Sequence, residues 1–73
     1  MTHADIINGW PTIGDFASDI GVSYGAAKAM RRRGSIPSAY WVRAVDGAEK
    51  RGLDGVSYQR LAQLAAAALE AAE

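Results

Sequence analysis

The sequence contains no cysteine and a single histidine among its 73 residues. Without cysteine the chain can form neither a disulfide framework nor a thiolate metal site, so helix packing or a second subunit must make it compact. The single histidine, His3, has no second histidine or cysteine with which to bind a metal ion. Because His3 lies near the N-terminus, where chains fray, we expect it to be exposed to solvent and not catalytic. The sequence therefore predicts no metal site and no cofactor.

Long apolar runs are missing as well. The longest one, residues 64–69, is far shorter than the roughly 20 residues that a membrane helix requires. No charged start followed by an apolar segment marks a signal peptide. We therefore expect a soluble, cytoplasmic protein without a membrane partner. Residues 1–73 make one domain, which is too small for a large catalytic cleft, so we expect no enzyme.

The chain has no net charge, but its charged residues are unevenly placed. Lysine and arginine total eight, as do aspartate and glutamate. Residues 24–51 hold seven of the basic residues and only two acidic ones, a net charge of +5, and the rest of the chain carries −5. If folding keeps this separation, one face of the molecule is suited to phosphates.

Apolar spacing, helix caps and glycine stops predict an all-α fold with five helices and no strand. Serine or threonine precedes three of the predicted helices, and glycine follows several of them, as is typical of N-caps and C-caps. The predicted helices occupy about residues 1–9, 13–20, 24–33, 37–51 and 57–72.

Residues 12–34 carry the clearest pattern. Thr12 is placed to cap the second helix, with Asp15 three residues later as a weak capping box. Gly21 and Ser23 form a very short turn into the third helix. Six apolar residues of this segment can share one small core: Phe16, Ala17, Ile20, Val22, Ala27 and Met30.

The outer side of the third helix then presents polar and small side chains. Tyr24, Lys28 and Arg32 follow one another at intervals of one turn, and Gly25 and Ala29 lie beside them. A helix with such a row fits the roughly 12 Å wide major groove of DNA, and its small residues allow the backbone to approach the bases. The pattern predicts binding to double-stranded DNA and association with the nucleoid.

Residues 13–30 resemble the helix-turn-helix of Cro/CI-type phage repressors, with matches at Phe16, Ala17, Ile20, Gly21, Val22, Ser23, Ala27 and Met30. The following segment, RRRGSIPSAYW at 31–41, resembles small alphaproteobacterial and prophage regulators. The resemblance implies a compact five-helix, lambda-repressor-like domain with its helix-turn-helix at about 13–33. It also implies repression of transcription, usually by a dimer. One departure is Ile13, where the family often has a supporting glutamine.

The resemblance also implies roles for individual residues. Base contacts would be made by Tyr24, Gly25, Lys28, Ala29 and Arg32. Phosphate contacts would be made by Ser23, Arg31, Arg33, Ser35, Ser38, Tyr40 and Arg43. For two aromatic residues, a role in packing is an alternative to contact with DNA: Tyr24 could pack at the helix start, and Tyr40 could cover the edge of the core. Trp41 is interpreted as a core residue, because Val45 and Ala48 continue its stripe.

The fifth helix is interpreted as a dimer surface. The residues predicted to meet a second copy are Leu61, Leu64, Ala65, Ala68 and Leu69. Leu69 lies off the main apolar stripe, so the helix is apolar on two sides. The alternative is that this helix only closes the core of the monomer.

Two other functions are open at this stage. The first is a helical protein-interaction module, an antirepressor or an adaptor for RNA polymerase or another regulator, with the acidic part of the chain as its working face. The second is an excisionase-like architectural DNA-binding factor, which would need a wing of strands after Pro37. The carboxylates of Asp15 and Asp19 are interpreted as a solvated face and not as an acid/base pair. No small-molecule ligand is predicted.

Overall fold

The computed structural model describes residues 1–71 of the chain. Within this range the backbone forms five α-helices and one short 3-10 turn, and it contains no strand. The helices are α1 (His3–Ile7), α2 (Ile13–Ile20), α3 (Tyr24–Arg33), α4 (Trp41–Arg51) and α5 (Tyr58–Ala71), with the 3-10 turn at Ser38–Tyr40. The all-helical prediction is confirmed, while the predicted helix end at residue 72 lies outside the described residues. None of these helices combines the length and the apolar character needed to cross a bilayer.

The short helix α1 starts with a capping box that the sequence interpretation missed. The Thr2 hydroxyl accepts the Ala4 N–H at 3.2 Å, and the Asp5 carboxylate accepts the Thr2 N–H at 2.9 Å. Each side chain thus satisfies a backbone donor that has no partner inside the helix. The N-terminus is therefore held in place, and α1 ends two residues before the predicted stop at Gly9.

Helices α2 and α3 have the predicted bounds and are separated by three residues. The Thr12 hydroxyl accepts the Asp15 N–H at 3.0 Å, and the Ser23 hydroxyl accepts the Ala26 N–H at 3.1 Å. Gly21 has φ 74°, in the left-handed region that a residue with a Cβ rarely adopts. The tight connection between the two helices thus contains the local cap interactions that the sequence predicted.

The core lies between α2, α3 and α4, with α1 packed on α3 and α5. Its fully buried large side chains include Phe16, Ile20 and Leu61. Burying one such side chain stabilises the fold by roughly 1.5–3 kcal/mol. Of the six apolar residues predicted to share the core of α2 and α3, all are buried except Val22, which packs half-buried against them.

The expectation that His3 is exposed is wrong. Its side chain is only 2% exposed, and both ring nitrogens are hydrogen-bonded. Nδ1 accepts the Ile36 N–H at 2.8 Å, so the proton must sit on Nε2, which donates to the Leu61 carbonyl at 2.8 Å. The capping box of α1 prevents the fraying on which the expectation depended. His3 thus connects three parts of the chain: the N-terminus, the segment that follows α3, and helix α5.

Helix α4 starts later than predicted. Pro37 has ψ 141°, which is extended rather than helical, and a 3-10 turn separates it from the first residue of α4. Trp41 is half-buried rather than part of the deep core. Its Nε1–H donates to the Ile36 carbonyl at 2.8 Å, and its ring meets His3 edge-on at 6.0 Å.

Candidate nucleic-acid interface

The outer side of α3 forms an exposed row of polar side chains. Tyr24, Lys28 and Arg32 are all exposed, Gly25 beside them is exposed, and Ala29 is half-buried. The Tyr24 ring is 56% exposed, so it is not packed into the core as the alternative interpretation required. The Lys28 ammonium lies 5.5 Å from the centre of that ring, close enough for a cation–π interaction. The first two turns of α3 therefore present an ordered polar surface.

Three arginines end α3 and are exposed. Their position in the last turn is favourable because the C-terminus of a helix carries partial negative charge. In residues 1–71, no carboxylate lies within ion-pair distance of Lys28, Arg31, Arg32 or Arg33. These four charges are therefore available to a partner from outside the chain.

The net charge of +5 counted for residues 24–51 overstates the positive charge that these residues present to a partner after folding. Lys50 pairs with Asp46 of its own helix at 3.0 Å. The Arg51 guanidinium turns toward α2, where it donates to both oxygens of Asp19 at 2.7 and 3.1 Å and lies 3.9 Å from Asp15. Folding therefore does not keep the full separation of charges that the sequence suggested, because Arg51 contacts acidic groups of α2, whereas the Lys50–Asp46 pair lies within residues 24–51 and leaves their net charge unchanged.

The Asp19 carboxylate is hydrogen-bonded to side chains from other parts of the chain and is not part of a solvated acidic face. Besides the two bonds from Arg51, its carboxylate accepts the Trp10 indole N–H at 2.8 Å. The hydrogen bonds from Arg51 lower the pKa of the Asp19 carboxyl below its ordinary value, against the opposing effect of partial burial. The same pair raises the pKa of Arg51. The interpretation of Asp15 and Asp19 as an exposed pair is thus wrong for Asp19, which links α2 to α4 and to the segment after α1.

Arg43 contacts the turn between α2 and α3. Its Nη1 donates to the Ile20 carbonyl at 3.1 Å, which satisfies one of the free carbonyls at the end of α2. A Cβ on Gly21 would lie 2.8 Å from this nitrogen, so glycine also makes room for the guanidinium. Arg43 is exposed overall.

The other residues predicted to bind phosphates have different environments. Ser35 and Ser38 are exposed in the connection that follows α3. Tyr40 is half-buried and packs against the core, as its alternative role required. Arg31 lines a depression together with Thr12 and Ile13 at the start of α2, whereas Arg32 is not among its lining residues. The arginine triplet is therefore divided between two surfaces.

The residues predicted to form a dimer surface also differ in burial. Leu61 is fully buried in the monomer core, so it cannot meet a second copy, and its assignment to a dimer surface is wrong. Leu64 and Ala65 are half-buried, whereas Ala68 and Leu69 are exposed. The reason is geometric: one side of α5 closes the core above α1 and α4.

Nothing among residues 1–71 brings three histidine or acidic side chains together in a group that could hold a metal ion. Comparisons of the chain with protein-family models, with curated proteins and with solved structures give no match. The geometry of α3 and its surroundings is therefore the basis for any inference about function.

Proposed function

We propose that this chain is a sequence-specific, double-stranded DNA-binding regulator of transcription of the Cro/CI type, with a lambda-repressor-like fold, and that it acts as a repressor. The observation that carries the proposal is the exposed outer row of α3, formed by Tyr24, Lys28 and Arg32, which makes no ion pair with a carboxylate of residues 1–71. A helix of this kind can enter the major groove while its inner side remains packed on α2.

Within the proposal, the residues of α3 divide the work. Lys28 and Arg32 donate to base edges, for which guanine O6 and N7 are the favoured acceptors of a basic side chain. Gly25 and Ala29 have little or no side chain, so the helix backbone can approach the bases. Arg31 and Arg33, which flank the row, bind phosphates and set the position of the protein on the duplex.

The surroundings of α3 supply the remaining phosphate contacts. Arg43 lies at the turn before α3, and Ser35 and Ser38 come after the end of α3. Hydrogen-bond donors are therefore available at both ends of α3. One copy offers few base contacts, so useful specificity requires two copies on half-sites about 34 Å apart. Repression would follow from occupying a promoter.

The decisive experiment is selection of bound duplexes from a random library, followed by titration of the selected duplex at several salt concentrations. For a dimer that neutralises about six phosphates, log affinity falls with log salt at a slope of about −5. Failure to retain any duplex, or an affinity independent of salt, would contradict the proposal.

A matched pair of variants sharpens this experiment. Arg33→Ala should reduce the steepness of the slope by about 2, because a dimer loses two phosphate contacts at about 0.9 each. Lys50→Ala should leave the slope unchanged, because Lys50 pairs with Asp46 on α4. Equal effects of the two changes would show that only general charge matters.

The two other functions have less support. A protein-interaction module working through its acidic part would have fewer free carboxylates than the charge count suggests, because Asp5, Asp15 and Asp19 are engaged by Thr2, Thr12 and Arg51, which leaves Asp54 and Glu70 among the described residues. An excisionase-like factor would need strands after Pro37, and residues 38–71 contain a 3-10 turn and two helices instead.

A further inference from the structure

A cavity of about 350 Å³ lies where α1 meets the connection between α4 and α5 and the first turn of α5. Its walls include Ile6 of α1, Gly9, residues 53–56 and Arg60. No residue of α3 lines it, so it is separate from the surface proposed for DNA. Its volume is near the lower end of the roughly 300–1,000 Å³ of small-molecule sites, so it suits a small ligand.

One wall of the cavity is apolar. Ile6 is 5% exposed, and Leu53 and Val56 are half-buried and pack against the core. Gly55 follows the left-handed backbone with φ 81°, and it has no side chain that would fill the space beside this wall. These walls come from segments far apart in the sequence, so the sequence alone does not indicate the cavity.

Arg60 brings a positive charge to the cavity. The side chain is half-buried, and its Nη2 donates to the Met1 sulfur at 2.7 Å. A thioether sulfur is only a weak acceptor. No carboxylate of residues 1–71 lies within ion-pair distance of this guanidinium. A carboxylate from outside the chain would therefore be a stronger partner for Arg60 than the sulfur is.

Two carboxylates line the same cavity. Asp5 accepts the Thr2 N–H at 2.9 Å through Oδ2, which leaves its other oxygen for a second donor. Asp54 is exposed and makes no ion pair with a side chain of residues 1–71. Positive and negative groups thus line one cavity without pairing with each other. A ligand that carries both charges would complement them.

We propose that this cavity binds a free α-amino acid with an apolar side chain. Arg60 binds its carboxylate, and Asp54 binds its ammonium group. The apolar side chain lies against Ile6, Leu53 and Val56. A ligand with a carboxylate alone would be repelled by the two aspartates, and one with an amine alone would be repelled by the guanidinium. Solvent screens both ion pairs, so the dissociation constant is about 1 mM.

Titration of the nitrogen-15-labelled full chain with L-leucine, followed by NMR without DNA, tests the site. The amide signals of Gly9, Gly55 and Arg60 should shift and saturate with a dissociation constant of about 1 mM. Because no DNA is present, the result does not depend on the proposed function. Absence of a saturating shift at concentrations well above about 1 mM would overturn the proposal.

Three analogues of leucine test which of its groups are bound. N-acetyl-L-leucine lacks the ammonium group and L-leucinamide lacks the carboxylate, so each should bind at least about tenfold more weakly than leucine. Glycine keeps both charges but lacks the apolar side chain, and it should also bind more weakly. Binding of any of the three with the affinity of leucine would overturn the assignment of an apolar amino acid.

Matched variants test the two charged side chains. Arg60→Gln should weaken leucine binding at least about tenfold, whereas Lys50→Gln, at an exposed position of α4 outside the cavity, should leave it unchanged. Asp54→Asn should also weaken binding, with the exposed Glu49→Gln as its control. Circular dichroism establishes that each variant is folded. Unchanged leucine binding in either cavity variant, or equal losses in a variant and its control, would overturn the proposal.

Discussion

Arg51, the last residue of α4, donates two hydrogen bonds to the carboxylate of Asp19 in α2, at 2.7 Å from Nε and 3.1 Å from Nη2. The planar guanidinium thus contacts both carboxylate oxygens, a geometry that fixes direction as well as distance. Because α2 packs against both α3 and α4, this pair is one of the contacts that hold the proposed recognition helix relative to α4.

The first prediction concerns the pH dependence of this pair. Arg51 lowers the pKa of Asp19 in the folded protein, so the stabilisation is fully present above the unfolded value near 4 and is lost as the pH falls through the folded value. Asp19→Asn should therefore cost about 1 kcal/mol or less at about pH 7, once solvent screening is allowed for. Urea unfolding should show the difference from the unmodified protein shrinking below about pH 4. Asp46→Asn, which breaks an exposed pair within α4, is the control and should cost less.

The second prediction concerns the close approach of α2 and α4. A Cβ on Gly47 would lie 2.9 Å from the Asp19 Oδ2 and 3.0 Å from its Cβ, so the two helices would have to move apart. Gly47→Ala should lower the free energy of unfolding by about 1–2 kcal/mol, because overpacking outweighs the gain in helix propensity. Thermal unfolding would measure this loss of stability. A stabilised variant would contradict the close packing.

The third prediction concerns the buried ring of His3. His3→Phe keeps an aromatic ring but leaves the Ile36 N–H and the Leu61 carbonyl without partners, so it should cost about 2–4 kcal/mol. Hydrogen exchange should be faster at the Ile36 amide in particular. Trp41→Phe removes one half-buried hydrogen bond to the Ile36 carbonyl and should cost about 1 kcal/mol. Similar exchange at Ile36 in both variants would argue against the role of His3.

The fourth prediction separates base reading from phosphate binding. If Arg32 contacts guanine, Arg32→Ala should cost about 1–3 kcal/mol of binding free energy and relax the sequence preference. Arg33→Ala should weaken binding to all duplexes alike, because a phosphate contact carries no sequence information. Competition binding on selected and mutated duplexes distinguishes the two. Unchanged preference in Arg32→Ala would remove that residue from the set of base readers.

The fifth prediction uses a glycine with free space around it. A Cβ on Gly25 would meet nothing within 4 Å, and the residue lies inside α3, so Gly25→Ala should stabilise the fold by about 0.5–1 kcal/mol. The same methyl group would lie between α3 and the bases, so DNA affinity should fall although stability rises. Thermal unfolding and DNA titration on one preparation would reveal the opposite signs. Unchanged affinity would mean that α3 does not approach the bases at this position.

Local chemistry explains why α2 and α3 could be predicted with correct bounds. Thr12 and Ser23 accept backbone N–H groups three residues later, and Gly21 supplies the left-handed residue, so each signal acts within one turn of helix. The exposed row on α3 could be predicted for the same reason, since helical spacing determines which residues share a side. The start of α4 could not be predicted in this way, because Pro37 is as compatible with an extended segment as with a helix start.

Long-range contacts explain what could not be predicted. His3 bonds to residues 33 and 58 positions away, and nothing near it in the sequence indicates those partners. Arg51 and Asp19 lie 32 positions apart, so the charge count assigned Arg51 to the basic part of the chain although folding turns it toward α2. Helical spacing already sets Leu69 off the main apolar stripe of α5, but only packing on α1 and α4 shows that Leu61 is buried in the core and not available to a second copy.

The sequence by itself determined the all-helical class, the cap-defined helices α2 and α3, and the polar row on α3, because these depend on interactions within a few residues. The tertiary structure alone decided which charges remain unpaired, that His3 joins three segments, and which side of α5 stays exposed. Those outcomes depend on the relative positions of helices, and these are set by the summed packing of side chains distant in sequence. The surface that we propose for DNA binding is therefore smaller than the basic segment and comprises α3 and the residues at its two ends.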